Sequence, residues 1–305
     1  MKKIIEDNKP ENFDNRNAIN EHSNDEWQKK NITWWNKNPM EYDFSTEINF
    51  PKYSKEFYDE IDQRFYSVSR LFLPHDRLPF DRMINHSALI SKNVLEIGVG
   101  AGSHASLLSA YSKKFTGIDI TEEAIKNTKK RFEIMNLSGD LRKMNAERMD
   151  FEDNEFDFVW SWGVIHHSAN TNQIISEVNR VLAPKGRAIV MVYHRSFLYY
   201  YIIMFLKGIG NRNFFKNYSI HKTVQLNTDG AIARYYSRKE WIDAVKEKFN
   251  IKSIKIYGQH ADLIPLPAGK LKNLLAKIIP TFIMKFINTN LRQGYFLVSE
   301  IEKKS

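Results

Sequence analysis

Three glycines at alternate positions, Gly98, Gly100 and Gly102, are the first residues in this chain whose spacing indicates chemistry. They follow an apolar run of strand type that starts at Val94, and a helical pattern of apolar residues begins directly after them. In a strand–turn–helix unit of this kind, Gly98 lets the chain turn sharply, Gly100 leaves the backbone open to a ligand, and Gly102 permits close packing of strand and helix. The unit predicts a site for a nucleotide-like ligand.

The spacing of these glycines and the charge near them indicate which nucleotide-like ligand the site binds. A dinucleotide fingerprint needs its third glycine at the position where this chain has Ser103. Glu96 lies two residues before the first glycine, where its carboxylate can accept a hydrogen bond from a cationic amino group but would repel a pyrophosphate. Both observations favour S-adenosylmethionine (SAM) over a nicotinamide dinucleotide.

On these residues the chain resembles the class I SAM-dependent methyltransferases, most closely the ubiquinone/menaquinone-methyltransferase-like branch (methyltransferase type 11). The resemblance covers residues 90–195. It implies an α/β fold with a Rossmann-like, seven-stranded, mostly parallel sheet and an antiparallel last strand. It also implies a reaction that converts SAM into S-adenosylhomocysteine (SAH) and requires no metal.

Asp119 is expected to hold the ribose of the cofactor, because it ends the predicted second strand, 21 residues beyond Gly98. A carboxylate at this position can accept two hydrogen bonds from the ribose diol. Asn145 stands where many relatives have an aspartate that contacts the adenine amino group, and its amide can both accept and donate. The resemblance extends the predicted cofactor contacts to four further residues, Ile120, Ala146, Ser161 and Trp162.

His166 and His167 follow the predicted fourth strand, Phe156 to Ser161, at the edge of an open α/β sheet where ligands lie. In the family that the sequence resembles, the first histidine at this place orients or deprotonates the methyl acceptor. We therefore expect His166 to act as a base or an orienting residue, with His167 as the second catalytic candidate.

The elements that must position these residues divide the chain into five parts. The first 30 residues are polar and are expected to be mobile or loosely attached. Residues 32–44 are aromatic but too irregular for a helix, so this arm either covers the core or acts as a lid over the cofactor. The predicted parts are an N-terminal arm or lid (1–50), a helical extension (51–89), the SAM-binding core (90–193), a first insertion (194–236) and the C-terminal part of the core (237–305), with a second insertion at 259–293.

Both insertions fall where this fold builds a roof over the substrate, and both are rich in aromatic or apolar residues. In the second insertion Lys270, Lys272 and Lys277 interleave the apolar residues, so it can rest on a membrane surface. Core packing, an apolar acceptor or a homodimer interface would also account for the pattern. The residues expected to touch the substrate are Tyr58, Arg64, Tyr66, His194, Tyr199 and Asp229.

The composition limits the functional classes. Cysteine is absent, which excludes disulfides, cysteine-based zinc sites and a thiol nucleophile and fits a reducing compartment. The amino terminus lacks the apolar segment of a secretory signal, and the longest apolar run is about half of the ~20 residues that a spanning helix needs, so we expect a cytoplasmic protein. Basicity is moderate and no Asn/Asp-Pro-Pro-Tyr-type motif follows the fourth strand, so no nucleic-acid partner is expected.

The sequence thus predicts a SAM-dependent methyltransferase that modifies an oxygen, nitrogen or sulfur nucleophile of a small, lipid-linked or glycan-linked molecule. Two alternatives remain. One is a non-catalytic SAM-binding or interaction module, in which the insertions dock a partner. The other is a nicotinamide-dependent oxidoreductase that uses the same glycine turn, against which Ser103 and Glu96 argue.

Overall fold

The computed structural model describes residues 21–42, 47–73, 78–259, 263–264, 266, 271, 274–275 and 278–304. Residues 1–20 of the predicted N-terminal arm, Phe44, and Lys270, Lys272 and Lys277 of the second insertion lie outside these ranges. In chain order the main elements are α1 (Glu21–Lys37), α2 (Lys55–Phe72), α3 (His86–Leu89), β1 (Asn93–Ile97), α4 (Ser103–Tyr111), β2 (Lys114–Asp119), α5 (Glu122–Met135), β3 (Asp140–Lys143), β4 (Phe156–Trp162), a 3-10 turn (Ile165–His167), α6 (Thr171–Val181), β5 (Leu182–His194), a π-helical segment (Phe197–Ile203), α7 (Met204–Gly210), α8 (Asn213–Asn217), α9 (Ile220–Leu226), β6 (Tyr235–Tyr236), α10 (Arg238–Val245), β7 (Phe249–Tyr257), α11 (Thr281–Lys285), a second π-helical segment (Phe286–Asn290) and β8 (Phe296–Lys303).

One sheet organises these elements, with the strand order β3-β2-β1-β4-β5-β8-β7. β1 pairs in parallel with β2 and β4, and β8 is antiparallel to both β5 and β7. The predicted α/β fold with an antiparallel last strand is confirmed, and the two-residue β6 beside β5 adds an eighth strand to the seven predicted. Because β1, β2, β4 and β5 run in the same direction, their carboxyl ends meet at one edge, where ligands bind in such sheets.

Both faces of the sheet are buried, and the side chains of β5 pack on both of them. Ala188, Val190 and Val192 pack into the core on one face, whereas Ile189 and Met191 pack into the core on the other. Successive side chains of a strand point to opposite faces, so a strand with helices on both sides is apolar at every position. The continuous apolar run of β5 follows from this central place in the sheet.

Residues 21–37 form the helix α1, so the prediction of a loosely attached chain up to residue 30 and an irregular one from residue 32 is wrong for this segment. Apolar residues do not recur along α1 in a continuous stripe, which is why the periodicity did not indicate a helix. Tertiary contacts hold it instead: Trp34 is buried, and Asn31 Nδ2 donates to the carbonyl oxygen of His167 at 2.5 Å.

β5 begins at Leu182, directly after helix α6 ends at Val181. The Pro184-Lys185-Gly186 segment forms an irregular start of the strand. Lys185 has a positive φ of 62°, and the pairing with β4 jumps from Phe156–Leu182 to Phe158–Arg187. The irregularity accommodates the residues that β5 has in excess of β4 at this point, and the strand continues beyond it.

The two insertions share one apolar core. Tyr200 and Met204 from the first insertion pack with Leu263 and Met284 from the second. We call residues 194–236 and 259–293 together the roof. Among the helices in the described part of the chain, none combines the length and apolarity of a bilayer-spanning segment.

Gly98 allows the turn after β1 and the loop after β4 to approach each other. Its φ is +84°, and a Cβ at this position would lie 2.2 Å from Val164 Cγ2. Replacing Gly98 with alanine is therefore expected to lower the free energy of unfolding by about 2–4 kcal/mol, from left-handed backbone strain and steric overlap. Urea unfolding measures the change.

Gly210→Ala is the matched control for this variant, because Gly210 ends helix α7 and a Cβ there would have no atom within 4 Å. The control is expected to change the free energy of unfolding by less than about 1 kcal/mol. Similar losses in both variants would contradict the role given to Gly98.

Candidate cofactor and acceptor site

A cavity of about 310 Å³ lies at the carboxyl ends of β1, β2 and β4, between the sheet, helix α1 and the edge of the roof. Its volume is in the ~300–1,000 Å³ range of small-molecule sites. Eleven residues predicted from the sequence line its wall: Arg64, Glu96, Gly98, Gly100, Asp119, Ile120, Asn145, Ala146, Trp162, His167 and Asp229. Seven others do not: Tyr58, Tyr66, Gly102, Ser161, His166, His194 and Tyr199.

Two glycines of the turn have different surroundings, one at the cavity and one packed against the protein. Gly100 lines the cavity, and a Cβ there would have only Met40 Cβ nearby, at 3.6 Å. Gly102 lies behind the wall, where a Cβ would lie 3.1 Å from side-chain atoms of Thr128 and Arg131. The open space at Gly100 and the close packing at Gly102 are the arrangements that the sequence predicts for these two residues.

Three hydrogen bonds hold the carboxylate of Asp119 at the end of β2. Its Oδ2 accepts from the Gly100 N–H at 3.2 Å, and its Oδ1 accepts from the N–H and hydroxyl of Thr121, both at 2.9 Å. Burial raises the pKa of Asp119, although the bonds from Thr121 and Gly100 lower it in part. A carboxylate has about four acceptor positions, so Asp119 can still accept from a ribose hydroxyl.

Glu96 is the second carboxyl on the wall, and it is almost completely buried. Its Oε2 has no hydrogen-bond partner among the described residues. Burial, and then the nearby charge of Asp119, raise the pKa of Glu96 well above its ordinary value. A buried acceptor on a cavity wall needs a donor from a ligand, and the ammonium group of SAM has the required charge and hydrogen atoms. The residues present therefore fit this cofactor.

His104, which sequence reasoning missed, also lines the wall but does not form an ion pair with Glu96. The distance from His104 Nδ1 to Glu96 Oε1 is 4.0 Å, and Trp160 Nε1 donates to the same Nδ1 at 3.2 Å. That nitrogen therefore carries the lone pair. Burial lowers the pKa of His104 to about 3, so the ring stays neutral and leaves Glu96 for the ligand.

The affinity for SAH is expected to depend on pH through Glu96. Its raised pKa favours the protonated carboxyl in the free protein, whereas the carboxylate binds an ammonium group better. Affinity should therefore increase as the pH rises through the pKa of Glu96, and binding should release a proton. Calorimetry in two buffers of different ionisation enthalpy measures this release.

Glu96→Gln is expected to abolish the proton release. Glu41→Gln is the matched control, since burial also raises the pKa of Glu41 but this residue does not line the cavity. A release that persists in Glu96→Gln would show that another group titrates.

Helix α1 contributes to the cavity wall, and sequence reasoning missed this contribution. Gln28, Asn31 and Trp35 line the wall at positions i, i+3 and i+7, a helical spacing that is visible in the sequence. Gln28 Nε2 donates to Asn145 Oδ1 at 3.3 Å, and Trp35 packs edge-to-face with His167 at 5.1 Å. The helix thus contacts both a predicted cofactor residue and a predicted catalytic residue.

The structure does not place His166 at the cavity, in contrast to the expectation that it is the base. It is fully buried, with its ring between those of His167 and Tyr193 at centroid distances of 4.1 and 4.0 Å. Burial lowers the pKa of His166 well below its ordinary value, so the ring is neutral. Residues 165–167 form a 3-10 turn, in which neighbouring side chains point about 120° apart, so only one of the two histidines faces the cavity.

His167 is the histidine on the wall. Its Nδ1 lies 2.6 Å from the carbonyl oxygen of Ile232, which can only accept, so Nδ1 carries the hydrogen and the neutral ring has its lone pair on Nε2. Gly230 makes room for this contact, since a Cβ there would lie 2.6 Å from His167 Nδ1. A histidine oriented in this way has the form of a base.

Tyr193 and Asp229 form a hydrogen-bonded pair on the wall near His167. The Tyr193 hydroxyl donates to Asp229 Oδ1 at 2.8 Å, and the rings of Tyr193 and His167 are 5.6 Å apart. Burial and the charge of Asp229 raise the pKa of Tyr193, which keeps it a neutral donor. Asp229 was predicted as a substrate residue. Tyr193 was missed, although its place at the end of β5 is a signal for a ligand contact.

The two tyrosines of the helical extension that were expected to touch the substrate form hydrogen bonds within the protein instead. Tyr58 donates to the Asn127 carbonyl at 2.7 Å, and Tyr66 donates to the Ser103 carbonyl at 3.2 Å. Of the three candidates on α2, only Arg64 reaches the cavity wall.

Three other predicted residues are also held away from the wall. His194 Nδ1 donates to the Gly294 carbonyl at 2.8 Å, Tyr199 stacks on Tyr295 at a centroid distance of 4.7 Å, and Ser161 is buried within β4. Tyr295, rather than Tyr199, faces the cavity. In the described ranges no three His, Asp or Glu residues are grouped so that they could hold a metal ion.

The core around this cavity matches a known family. Residues 95–190 match the model described as Methyltransferase domain, of type 11. The chain carries a class I SAM-dependent methyltransferase domain. SAM is the cofactor of this methyltransferase domain, which includes β1 to β4, most of β5 and the glycine turn. The predicted family resemblance is thereby confirmed.

Curated relatives resemble the methyltransferase domain over part of their length. The chain is 33% identical over 109 residues to a phthiotriol/phenolphthiotriol dimycocerosates methyltransferase of Mycobacterium ulcerans, which is 35% of this chain and 40% of that protein. It is 33% identical over 118 residues to a phosphatidylethanolamine N-methyltransferase of Cereibacter sphaeroides, which is 38% of this chain and 57% of that protein. The chain thus spans about half the length of these relatives.

The fold extends beyond the methyltransferase domain. The structure of a geranyl diphosphate C-methyltransferase from Streptomyces coelicolor, solved with SAH, covers 91% of this chain and 98% of its own, with a TM-score of 0.56 and 12% identity. At this identity the likeness concerns the fold alone.

Proposed function

We propose that the whole chain is a SAM-dependent methyltransferase whose acceptor is an oxygen, nitrogen or sulfur nucleophile of a small, lipid-linked or glycan-linked molecule. The observation that carries this proposal is a single cavity lined by two chemically different groups of residues. Glu96 and Asp119 form the group that suits the cofactor, and His167, Tyr193 and Asp229 form the other. We call these groups the cofactor end and the acceptor end, and a donor and an acceptor bound to them would share one cavity.

Bound SAM supplies a methyl group activated by attachment to a sulfonium. The chain's own residues hold and align the reactants: Glu96 and Asp119 fix the donor, and the Tyr193–Asp229 pair orients the acceptor. Such positioning can supply ~7–11 kcal/mol of the barrier. Where the nucleophile is protonated, His167 Nε2 accepts its proton, for a gain of ~10²–10⁴-fold.

This assignment transfers the role of base from His166 to His167. The reason is position, because His167 lines the cavity wall and the fully buried His166 does not. We propose that His166 acts as a packing residue that supports Tyr193, on which its ring lies.

We further propose that the acceptor is lipid-linked. The wall near Tyr193 also contains Trp162, Tyr295 and Phe296, so an apolar acceptor group would be well surrounded. The name of the relative from Cereibacter sphaeroides specifies phosphatidylethanolamine, a phospholipid, as its substrate. Both observations favour a lipid over a polar metabolite.

The test is a screen with methyl-radiolabelled SAM against cell extract, followed by separation of lipids, glycans, proteins and small metabolites. Incorporation into the lipid fraction is expected, and incorporation into another fraction would contradict the lipid-linked acceptor. SAH binding without incorporation into any fraction would favour the non-catalytic module. Quenching or enhancement of NADH fluorescence by the protein would favour the oxidoreductase.

A further inference from the structure

The net charge of the chain is concentrated in the roof. Residues 194–236 and 259–293 carry 11 of the 45 basic residues and 2 of the 36 acidic residues. The rest of the chain has 34 of each, so the whole excess of +9 belongs to the roof. Eight of these basic residues and one of the acidic residues lie in the described part of the roof, and this asymmetry creates a positive potential there.

The roof also exposes most of the apolar surface residues. Of the 17 large apolar side chains that are exposed in the described part of the chain, 13 belong to the roof. Ile202, Leu206 and Ile209 recur at helical spacing along one side of the first insertion, and in the second Phe282 and Phe286 are 72% and 52% exposed. Exposed apolar side chains concentrated in one part of a protein indicate an interaction surface.

The exposed cations lie beside the exposed apolar residues. Lys216 follows Phe215, Lys285 precedes Phe286, and Arg292 follows Leu291, and all six side chains are exposed. Apolar side chains interleaved with long cationic ones match the boundary between lipid headgroups and acyl chains, where the apolar groups insert and the cations meet phosphates.

We propose that the roof is a docking surface for an anionic phospholipid bilayer. The combination of charges and exposed apolar groups favours this partner over RNA. RNA binding needs the cations but does not need many exposed aliphatic side chains. Docking does not depend on catalysis, so it goes beyond the proposed methyl transfer.

The position of the roof connects this surface with the cavity. Tyr295 lines the cavity wall and packs against the shared core of the roof, and Tyr199 of the roof stacks on it. A bilayer against the roof would therefore lie near the acceptor end of the cavity. A lipid-linked acceptor could reach His167 without leaving the membrane surface.

The experiment is co-sedimentation of the full chain with vesicles. Vesicles of equal parts phosphatidylglycerol and phosphatidylcholine should bind the protein, pure phosphatidylcholine should bind it more weakly, and added salt should reduce binding to the anionic vesicles. Phe282→Ser/Phe286→Ser should weaken binding at least tenfold. Phe50→Ser/Ile90→Ser is the matched control, since both residues are exposed but lie outside the roof.

A second pair of variants tests the charge. Lys216→Gln/Lys285→Gln should weaken binding to anionic vesicles by about fivefold for each charge removed, whereas Lys185→Gln/Lys304→Gln, with exposed lysines outside the roof, should leave it unchanged. Calorimetry with SAH shows that each variant is folded, independently of membrane binding and of activity.

Three results would overturn the proposal. They are equal vesicle binding by roof and control variants, self-association of the protein through the roof in analytical ultracentrifugation without vesicle binding, and binding of RNA in preference to anionic vesicles.

Discussion

Asp119→Ala is expected to bind SAH about 10–100-fold more weakly than the wild type. The reason is the loss of a ribose hydrogen bond to a charged acceptor, worth ~1.5–3 kcal/mol, where every ~1.4 kcal/mol corresponds to a factor of ten in affinity. Asp119 is held by Gly100 and Thr121, so no rearrangement of the wild-type carboxylate is needed on binding. Isothermal calorimetry measures the affinity.

Two control variants separate the binding of ribose by Asp119 from its contribution to the folded structure. Asp119→Asn keeps the size of the side chain and is expected to weaken binding by about five- to tenfold, because a neutral acceptor makes a weaker hydrogen bond. Glu122→Ala removes an exposed carboxylate at the start of helix α5, outside the cavity wall, and should leave the affinity unchanged. An unchanged affinity in Asp119→Ala would remove the basis for the cofactor assignment.

His167→Gln is expected to reduce kcat by ~10²–10⁴-fold, the usual contribution of a general base, while the affinity for SAH stays within about twofold. His167 is the histidine on the cavity wall, and its Nδ1 contact with Ile232 leaves the lone pair on Nε2. The rate dependence on pH should also lose the limb that reports deprotonation of the base. Steady-state kinetics with the acceptor found in the radiolabel screen provides both readouts.

His166→Phe is the matched control for this variant, since it changes the adjacent ring without changing the cavity wall. Burial keeps the pKa of His166 far below its ordinary value, so this ring cannot produce a limb in the pH profile near neutrality. We expect lower stability, an unchanged pH profile and a kcat within about tenfold of the wild type. The opposite pattern, with the pH limb lost in His166→Phe and kept in His167→Gln, would restore the prediction made from the sequence.

The cofactor end of the site was largely predictable because its residues belong to local units. A strand, a tight turn and a helix place Glu96 and Gly100 within a few residues of each other, and Asp119 ends the neighbouring strand. The polarity of parallel strands then brings Asp119 and Asn145 to the same edge. Such contacts depend on the shared direction of the strands, which follows from alternating strands and helices.

The acceptor end was less predictable because its residues come from distant parts of the chain. Trp35 on α1 contacts His167. Asp229, near the end of the first insertion, accepts a hydrogen bond from Tyr193 near the end of β5. Helix α1 has no continuous apolar stripe, so only its packing against the core shows that it is a helix. Periodicity reports burial of a face, and polar contacts such as that of Asn31 leave no such pattern.

The sequence by itself determined the α/β class, the antiparallel last strand, the cofactor and the carboxylates that suit it, because each depends on residues close together in the chain or on a repeating apolar pattern. Only the tertiary structure decided which of two adjacent histidines faces the cavity, since the phase of one 3-10 turn sets this and both residues have the same type. The tertiary structure also united the two insertions into one roof. Their shared core joins residues such as Tyr200 and Met284, which are far apart in sequence and which no local pattern connects.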